Sequence, residues 1–245
     1  MCRWKRILIW TAVILGCLIV IAPQMAFAQN VEYAGSTLWS FLSDVDVIGN
    51  YAYCTFLNGL EVIDISNPGN PALIGKIYFQ GTARSIDVEG NYAYIACDST
   101  GIVIIDISIP SNPFLVGSRD VPGIAQDIFI SGDYAYIAKR DTGLVIIDIS
   151  NPANPTVIGN YINLNLAYDI FVVGNYAYVV DRYQGFKILD VSDPTIPIFV
   201  GDYSTPHPCF DVFVEGSYAY TAVIDVGLQI VDISDPTTPT LVGTC

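Results

Sequence analysis

The chain has 245 residues, 52% of them apolar, and carries 24 acidic against ten basic side chains for a formal charge of −14. So acidic a surface argues against nucleic acid and anionic membrane as partners and favours solubility. It would also suit Ca²⁺ or an extracellular setting, but no calcium-loop spacing is present and no cofactor is expected.

Arg3, Lys5 and Arg6 precede a run from Ile7 to Ala22 that is apolar but for Thr11, followed by Pro23-Gln24-Met25-Ala26-Phe27-Ala28. A positive start, an apolar middle and a small-x-small end predict an export signal over residues 1–28, cleaved after Ala28. Two other readings exist. Ile14-Leu15-Gly16-Cys17 is a lipoprotein-like cleavage box, but Leu18 to Ala22 remain apolar where a polar tether should follow. An uncleaved anchor is the other, although the run is shorter than the ~20 residues that a bilayer requires. The expected location is outside the cytoplasm (secreted, periplasmic or on the cell surface), with no membrane contact beyond the signal.

Signal removal leaves seven basic and 24 acidic residues, a formal charge of −17. It also leaves four cysteines, Cys54, Cys97, Cys209 and Cys245, with no CxxC element, so zinc is not expected. An exported compartment permits disulfides. Cys54 and Cys97 fall near the same place in consecutive repeats and form the best candidate pair; free, packed thiols are the alternative.

From residue 44 onward the chain repeats. A landmark glycine recurs at Gly49, Gly90, Gly132, Gly174 and Gly216, and an aspartate that ends an apolar run recurs at Asp64, Asp106, Asp148, Asp190 and Asp232. In the third copy, Asp127-Ile128-Phe129-Ile130 predicts a first strand. Ser131-Gly132-Asp133 predicts a tight hairpin, because glycine supplies the positive φ that such a turn needs. Tyr134-Ala135-Tyr136-Ile137-Ala138 predicts a second strand, with both tyrosines on one face and the alanine on the other. After the polar loop Lys139 to Thr142, the β-branched run from Leu144 to Ile149 predicts a third strand buried on both faces. Pro152 and Pro155 then force a turn, and Thr156-Val157-Ile158-Gly159 begins a fourth strand.

Four short strands in ~42 residues, repeated five times with both faces apolar, predict an all-β fold: a β-propeller of about five four-stranded blades. The copies resemble the LVIVD-repeat family of predicted surface propellers. The resemblance is carried by Leu144-Val145-Ile146-Ile147-Asp148, Ile102-Val103-Ile104-Ile105-Asp106 and Leu228-Gln229-Ile230-Val231-Asp232, with the Tyr-Ala-Tyr and Asp/Asn-Pro elements. It implies an exported, cell-surface binding or scaffold protein and no shared reaction. Residues 44–245 are expected to form one propeller. Residues 29–43 would supply an N-terminal strand, with Val31-Glu32-Tyr33 pairing against Thr240-Leu241-Val242 to close the ring. An incomplete array is the alternative.

Two aspartate ladders run through the repeats. The one from Asp64 to Asp232 is expected to close the Ser-x-Pro turns by accepting backbone N–H groups. Asp44, Asp127, Asp169 and Asp211, with Ser85 in the second copy, begin the first strand and would stand at the channel mouth if that strand is innermost. The varying positions are better candidates for function. Arg84, Arg119, Lys139, Arg140, Arg182, Tyr183 and His207 fall in or beside loops expected on one face, and rigid scaffolds present binding groups on such loops. They define a candidate face for a protein or glycan at the cell surface. One histidine and no Gly-x-Ser-x-Gly elbow leave no readable triad, and HExxH and phosphate-loop motifs are absent. No catalytic or metal residue is assigned, and a non-catalytic role is favoured. A structural surface-layer component and a channel-mouth hydrolase or lyase remain as alternatives.

Overall fold

The computed structural model describes residues 42–245, and they form five four-stranded antiparallel sheets. Blade one comprises Leu42–Ile48 (β1), Tyr51–Phe56 (β2), Gly59–Asp64 (β3) and Ala72–Tyr78 (β4). Blade two comprises Ala83–Glu89 (β5), Tyr92–Cys97 (β6), Gly101–Asp106 (β7) and Phe114–Arg119 (β8), with a 3-10 turn at Asp98–Thr100. Blade three runs through Ala125–Ser131 (β9), Tyr134–Lys139 (β10), Gly143–Asp148 (β11) and Thr156–Tyr161 (β12). Blade four contains Ala167–Val173 (β13), Tyr176–Asp181 (β14), Gly185–Asp190 (β15) and Ile198–Tyr203 (β16). Blade five contains Cys209–Glu215 (β17), Tyr218–Val223 (β18), Gly227–Asp232 (β19) and Thr240–Thr244 (β20). Strands follow one another in chain order within each sheet, so every connection inside a blade is a hairpin.

Local chemistry accounts for the blade. Gly132 has φ +58°, which permits the two-residue turn before Tyr134. At the other end of the blade, Asp148 Oδ1 accepts the backbone N–H of Ser150 at 2.9 Å. The same bond closes the turns at Asp64, Asp106, Asp190 and Asp232. This aspartate ladder thus belongs to the proline turns.

The first strand of each blade lies innermost, where β1 packs on β5, β5 on β9, β9 on β13 and β13 on β17. Phe129, Phe171 and Phe213 stack in sequence along this inner layer, with centroids 5.0 and 5.2 Å apart. Between blades the period-2 alternation sets the contact. The tyrosine side of one blade meets the alanine side of the next: Tyr53 with Ala93 and Ile95, then Tyr94 with Ala135 and Ile137, then Tyr136 with Ala177 and Val179. The excess of Val, Ile and Tyr goes into these seams, where burial of an aliphatic or aromatic side chain contributes about 1.5–3 kcal/mol.

One expectation changes. Cys54 and Cys97 are both buried free thiols. Each lies on the alanine side of its own blade. Cys97 therefore faces blade one across the seam, while Cys54 packs with Val45, Ala52 and Ile63 on the opposite side of blade one. The sheet between them prevents a bridge. Blade five, moreover, completes its own fourth strand, with Thr244 opposite Gln229 and Thr240 opposite Asp232. The expected pairing of Val31 to Tyr33, like the export signal, lies outside the described residues.

Candidate functional site

Each innermost strand begins with a register shift against its neighbour: between Leu42 and Asp44, Ala83 and Ser85, Ala167 and Ile170, Cys209 and Asp211, and opposite Ala138 and Lys139 for β9. A bulge inserts a residue and re-aims its side chain. Two consecutive residues per blade consequently reach the channel mouth. Ser43, Arg84, Gln126, Tyr168 and Phe210 form one ring, and Asp44, Ser85, Asp127, Asp169 and Asp211 form the second; together they line a cavity of about 40 Å³. That is room for a few waters or the end group of a ligand.

The second ring also clamps the blades. Asp44 Oδ2 accepts the N–H of Ile86 at 3.0 Å, Asp127 Oδ2 that of Ile170 at 3.0 Å, and Asp169 Oδ2 that of Val212 at 2.8 Å. Each bond crosses a seam. In blade two serine replaces the ladder aspartate, and the seam to blade three is crossed two residues on, where Asp87 accepts the N–H of Ile130 at 2.6 Å as Asp46 of blade one accepts that of Val88 at 2.8 Å. Ser85 Oγ lies 3.0 Å from Asp44 Oδ2 and 2.5 Å from Asp127 Oδ1. With one hydroxyl proton, Ser85 donates to one of these two carboxyl groups at a time.

The first ring carries the variation. Arg84 reaches Asp98 at 3.2 Å, and its Nε is buried without a partner, as is Oε1 of neighbouring Gln126. On the other side of the mouth, Tyr168 and Phe210 meet edge to face at 5.2 Å. The Arg182 guanidinium lies 4.7 Å from the Phe210 centroid, 5.1 Å from Tyr168 and 5.7 Å from Tyr183. Cation–π attraction holds it there, and its Nε too is buried without a partner. Backbone bonds tie the β2–β3-type turns to the inter-blade loops at this end, as from Arg140 N to Ile124 O, Arg182 N to Leu166 O and Cys209 N to Arg182 O.

Of the candidate residues read from sequence, the structure brings Arg84, Arg182 and Tyr183 to or beside the mouth. His207 is exposed in the loop that leads to Phe210, and its carbonyl accepts the Thr205 hydroxyl at 2.8 Å. Arg119 ends β8, an outermost strand far from the inner ring, and is exposed. Arg140 is half-buried and does not line the cavity. Lys139 is only 4% exposed, and its ammonium donates to the Pro122 carbonyl in the preceding inter-blade loop. Burial holds its pKa below the ordinary lysine value, against the opposing pull of Asp141 and Asp120. Asp181, at the same position one blade on, ties its own loop with opposite polarity by accepting the N–H of Asn165 at 2.9 Å. Lys139 is thus a loop tie, removed from the open face.

Sequence reasoning missed Ser43, Gln126 and Phe210 as mouth residues. One signal was available: each stands immediately before a ladder aspartate. Among the described residues, no three His, Cys, Asp or Glu side chains are grouped so that they would hold a metal ion.

A family model described as LVIVD repeat matches the chain five times, over residues 42–78, 80–121, 122–163, 166–205 and 209–245. No curated protein matches the chain. Among solved structures, it is similar to the computationally designed Ika8 protein, with a TM-score of 0.67 and 9% identity over 80% of this chain and 60% of that one. It is also similar to the Cps50 (Swd1) beta-propeller domain of Myceliophteria thermophila, with a TM-score of 0.67 and 11% identity over 83% of this chain and 71% of that one. The chain therefore spans less than two thirds of the length of the first, and at these identities the likeness concerns the fold alone.

Proposed function

Because the chain belongs to the LVIVD-repeat family, we propose that it acts as an exported, non-catalytic binding or scaffold propeller that recognises a protein or glycan through its loop face, centred on the channel mouth. One observation carries this reading: the Arg182 guanidinium is stacked on Tyr168 and Phe210 beside a polar cavity. Aromatic faces next to a fixed cation and a ring of acceptors suit a ligand edge with both C–H and O–H groups, as on a sugar ring or a polar peptide loop. The cavity carboxylates support binding over acid–base work. Asp44, Asp127 and Asp169 hold backbone N–H groups across seams, and taking up a substrate proton would weaken those clamps.

The test is a panel of glycans and cell-surface proteins offered to the mature chain and to Arg182→Ala and Phe210→Ala variants. A partner should be captured by the parent and lost from both variants while the melting temperature stays near that of the parent. Capture indifferent to both substitutions would refute the reading. Turnover of a glycan or lactone by the parent, abolished in Asp127→Asn, would replace it with the hydrolase or lyase alternative.

A further inference from the structure

Arg84 and Arg182 both stand at the mouth, and they differ in how their charge is met. Arg84 has a carboxylate partner in Asp98, the residue that directly follows β6. Directly after β14 the same position is Arg182 itself. Its neighbour Asp181 is fully buried and gives Oδ2 to the Asn165 N–H, while Oδ1 meets no donor. Among the described residues, no carboxylate pairs with Arg182 and no acceptor takes a hydrogen bond from its guanidinium.

The rings beside Arg182 leave that capacity open. An aromatic face attracts the cation as a whole, but the guanidinium also carries N–H donors in a planar fork that matches a carboxylate. Nε is the buried member of the group, so the terminal nitrogens remain open to a ligand. The turn is pinned on both sides, by Arg182 N–H to Leu166 O at 3.0 Å and Cys209 N–H to Arg182 O at 2.8 Å. The fork is therefore held in place before anything binds, which lowers the ordering cost of binding.

The cavity next to it has the opposite character. Asp44, Asp127, Asp169 and Asp211 present carboxyl oxygens there, each able to accept more than one hydrogen bond. Gln126 Oε1 adds an acceptor buried without a donor. An anion would be repelled inside this ring, but Arg182 lies beside the cavity and does not line it. Charges more than about 8 Å away are largely screened at physiological ionic strength. The acidity of the whole chain therefore matters less to an anion at Arg182 than the contact pair does.

On the reading of the mouth as a ligand site, we infer that the group recognised there is a sugar acid. Its carboxylate pairs with Arg182, its C–H face lies against the aromatic cluster of Tyr168 and Phe210, and its hydroxyls donate to the cavity acceptors. One pyranose ring carries all three features within a few ångströms. An aspartate or glutamate side chain of a peptide supplies the carboxylate but no hydroxyl donors, which disfavours an acidic peptide.

The test is calorimetric titration of the purified chain with short oligosaccharides ending in glucuronate, galacturonate or N-acetylneuraminate, each also as its uncharged carboxamide. A glutamate-rich peptide forms a separate arm. At least one acid should bind about tenfold or more tightly than its carboxamide, as expected of hydrogen bonds to a charged group. Arg182→Gln should erase that ratio by weakening the acid to the level of the carboxamide, with carboxamide binding and melting temperature unchanged. Phe210→Ala should weaken acid and carboxamide alike, because stacking does not depend on the charge. Equal binding of acid and carboxamide, a ratio that survives Arg182→Gln, preference for the peptide, or no binding of any of the acids would each overturn the inference. Should glycans or proteins of the wider panel still yield a partner lost from both Arg182→Ala and Phe210→Ala, the sugar acid alone falls; without such a partner the ligand site falls with it.

Discussion

Asp169 and Val212 are joined across the seam between blades four and five: the carboxylate Oδ2 accepts the Val212 N–H at 2.8 Å. A strand-start carboxylate here takes a backbone donor that no ladder bond within blade five supplies. Hydrogen bonds to charged groups contribute about 1.5–3 kcal/mol, so Asp169→Ala should lower unfolding free energy by about that amount. Asp169→Asn, which keeps an acceptor oxygen, should lose less. Urea denaturation of the two variants measures the difference, and equal losses would mean that shape, not the acceptor, matters at this position.

Substituting the seam glycines gives a position-dependent outcome. Gly117→Val places carbon against the Pro152 carbonyl and should destabilise by about 1–3 kcal/mol, the usual cost of overpacking. Among the described residues the same change at Gly243 meets no atom within 4 Å, and it should fall within about 0.5 kcal/mol of the parent. Thermal melts of the two purified variants check this. A large loss at Gly243 would show that its side of blade five is already occupied in the isolated chain.

The features that could be read in the sequence are those set by local chemistry and repeated in every copy. Gly132-Asp133 marks a hairpin, Tyr134-Ala135-Tyr136 marks two unlike faces, and Pro152 with Pro155 marks a turn; each was legible because one residue type meets one backbone requirement. The mouth was less legible because it is assembled between copies. Phe210 meets Arg182 only once blades four and five are stacked. The bulge that turns Gln126 inward leaves no mark in the alternation, since Gln126 and Asp127 are both polar. Lys139 misled for a different reason. Its charge suggests a surface, but its position is the end of β10, where Cys97 and Asp181 are also buried in their own blades.

Thiol chemistry distinguishes the free cysteines from the disulfide expected at first. Burial raises the Cys97 thiol to about 12, with Asp98 adding to the effect, and raises Cys209 to about 12 despite bonds to Thr221 and the Asp211 backbone. Cys54 shifts in the same direction for the same cause. Thiolate is the reactive form, so alkylation of the native chain at pH 8 should modify exposed Cys245 and spare Cys54, Cys97 and Cys209. Denaturant without reductant should then expose Cys54, Cys97 and Cys209 together. Mass spectrometry of the alkylated chain reads both states, and Cys54 and Cys97 unreactive until reduced would restore the disulfide.

The proline turns should make stability depend on acid pH. The Ser150 hydroxyl and backbone N–H hold the Asp148 carboxyl below its ordinary value, and Thr195 and Thr237 do the same for Asp193 and Asp235. The three hydroxyl bonds are each 2.6 Å long. Unfolding removes these donors and returns each carboxyl to about 3.8. Between the folded and unfolded values the unfolded chain binds more protons, so stability rises with pH there. The contribution is complete above the unfolded value and disappears as pH falls through the folded one. A Ser150→Ala, Thr195→Val, Thr237→Val triple variant should therefore melt lower than the parent at neutral pH and converge with it in strong acid. Its acid slope should be shallower but not absent, because the backbone donors remain. Calorimetric scans from neutral pH down to about pH 2 follow both curves through this window; parallel curves with a constant offset would assign the lost stability to packing, with no part for the carboxyls.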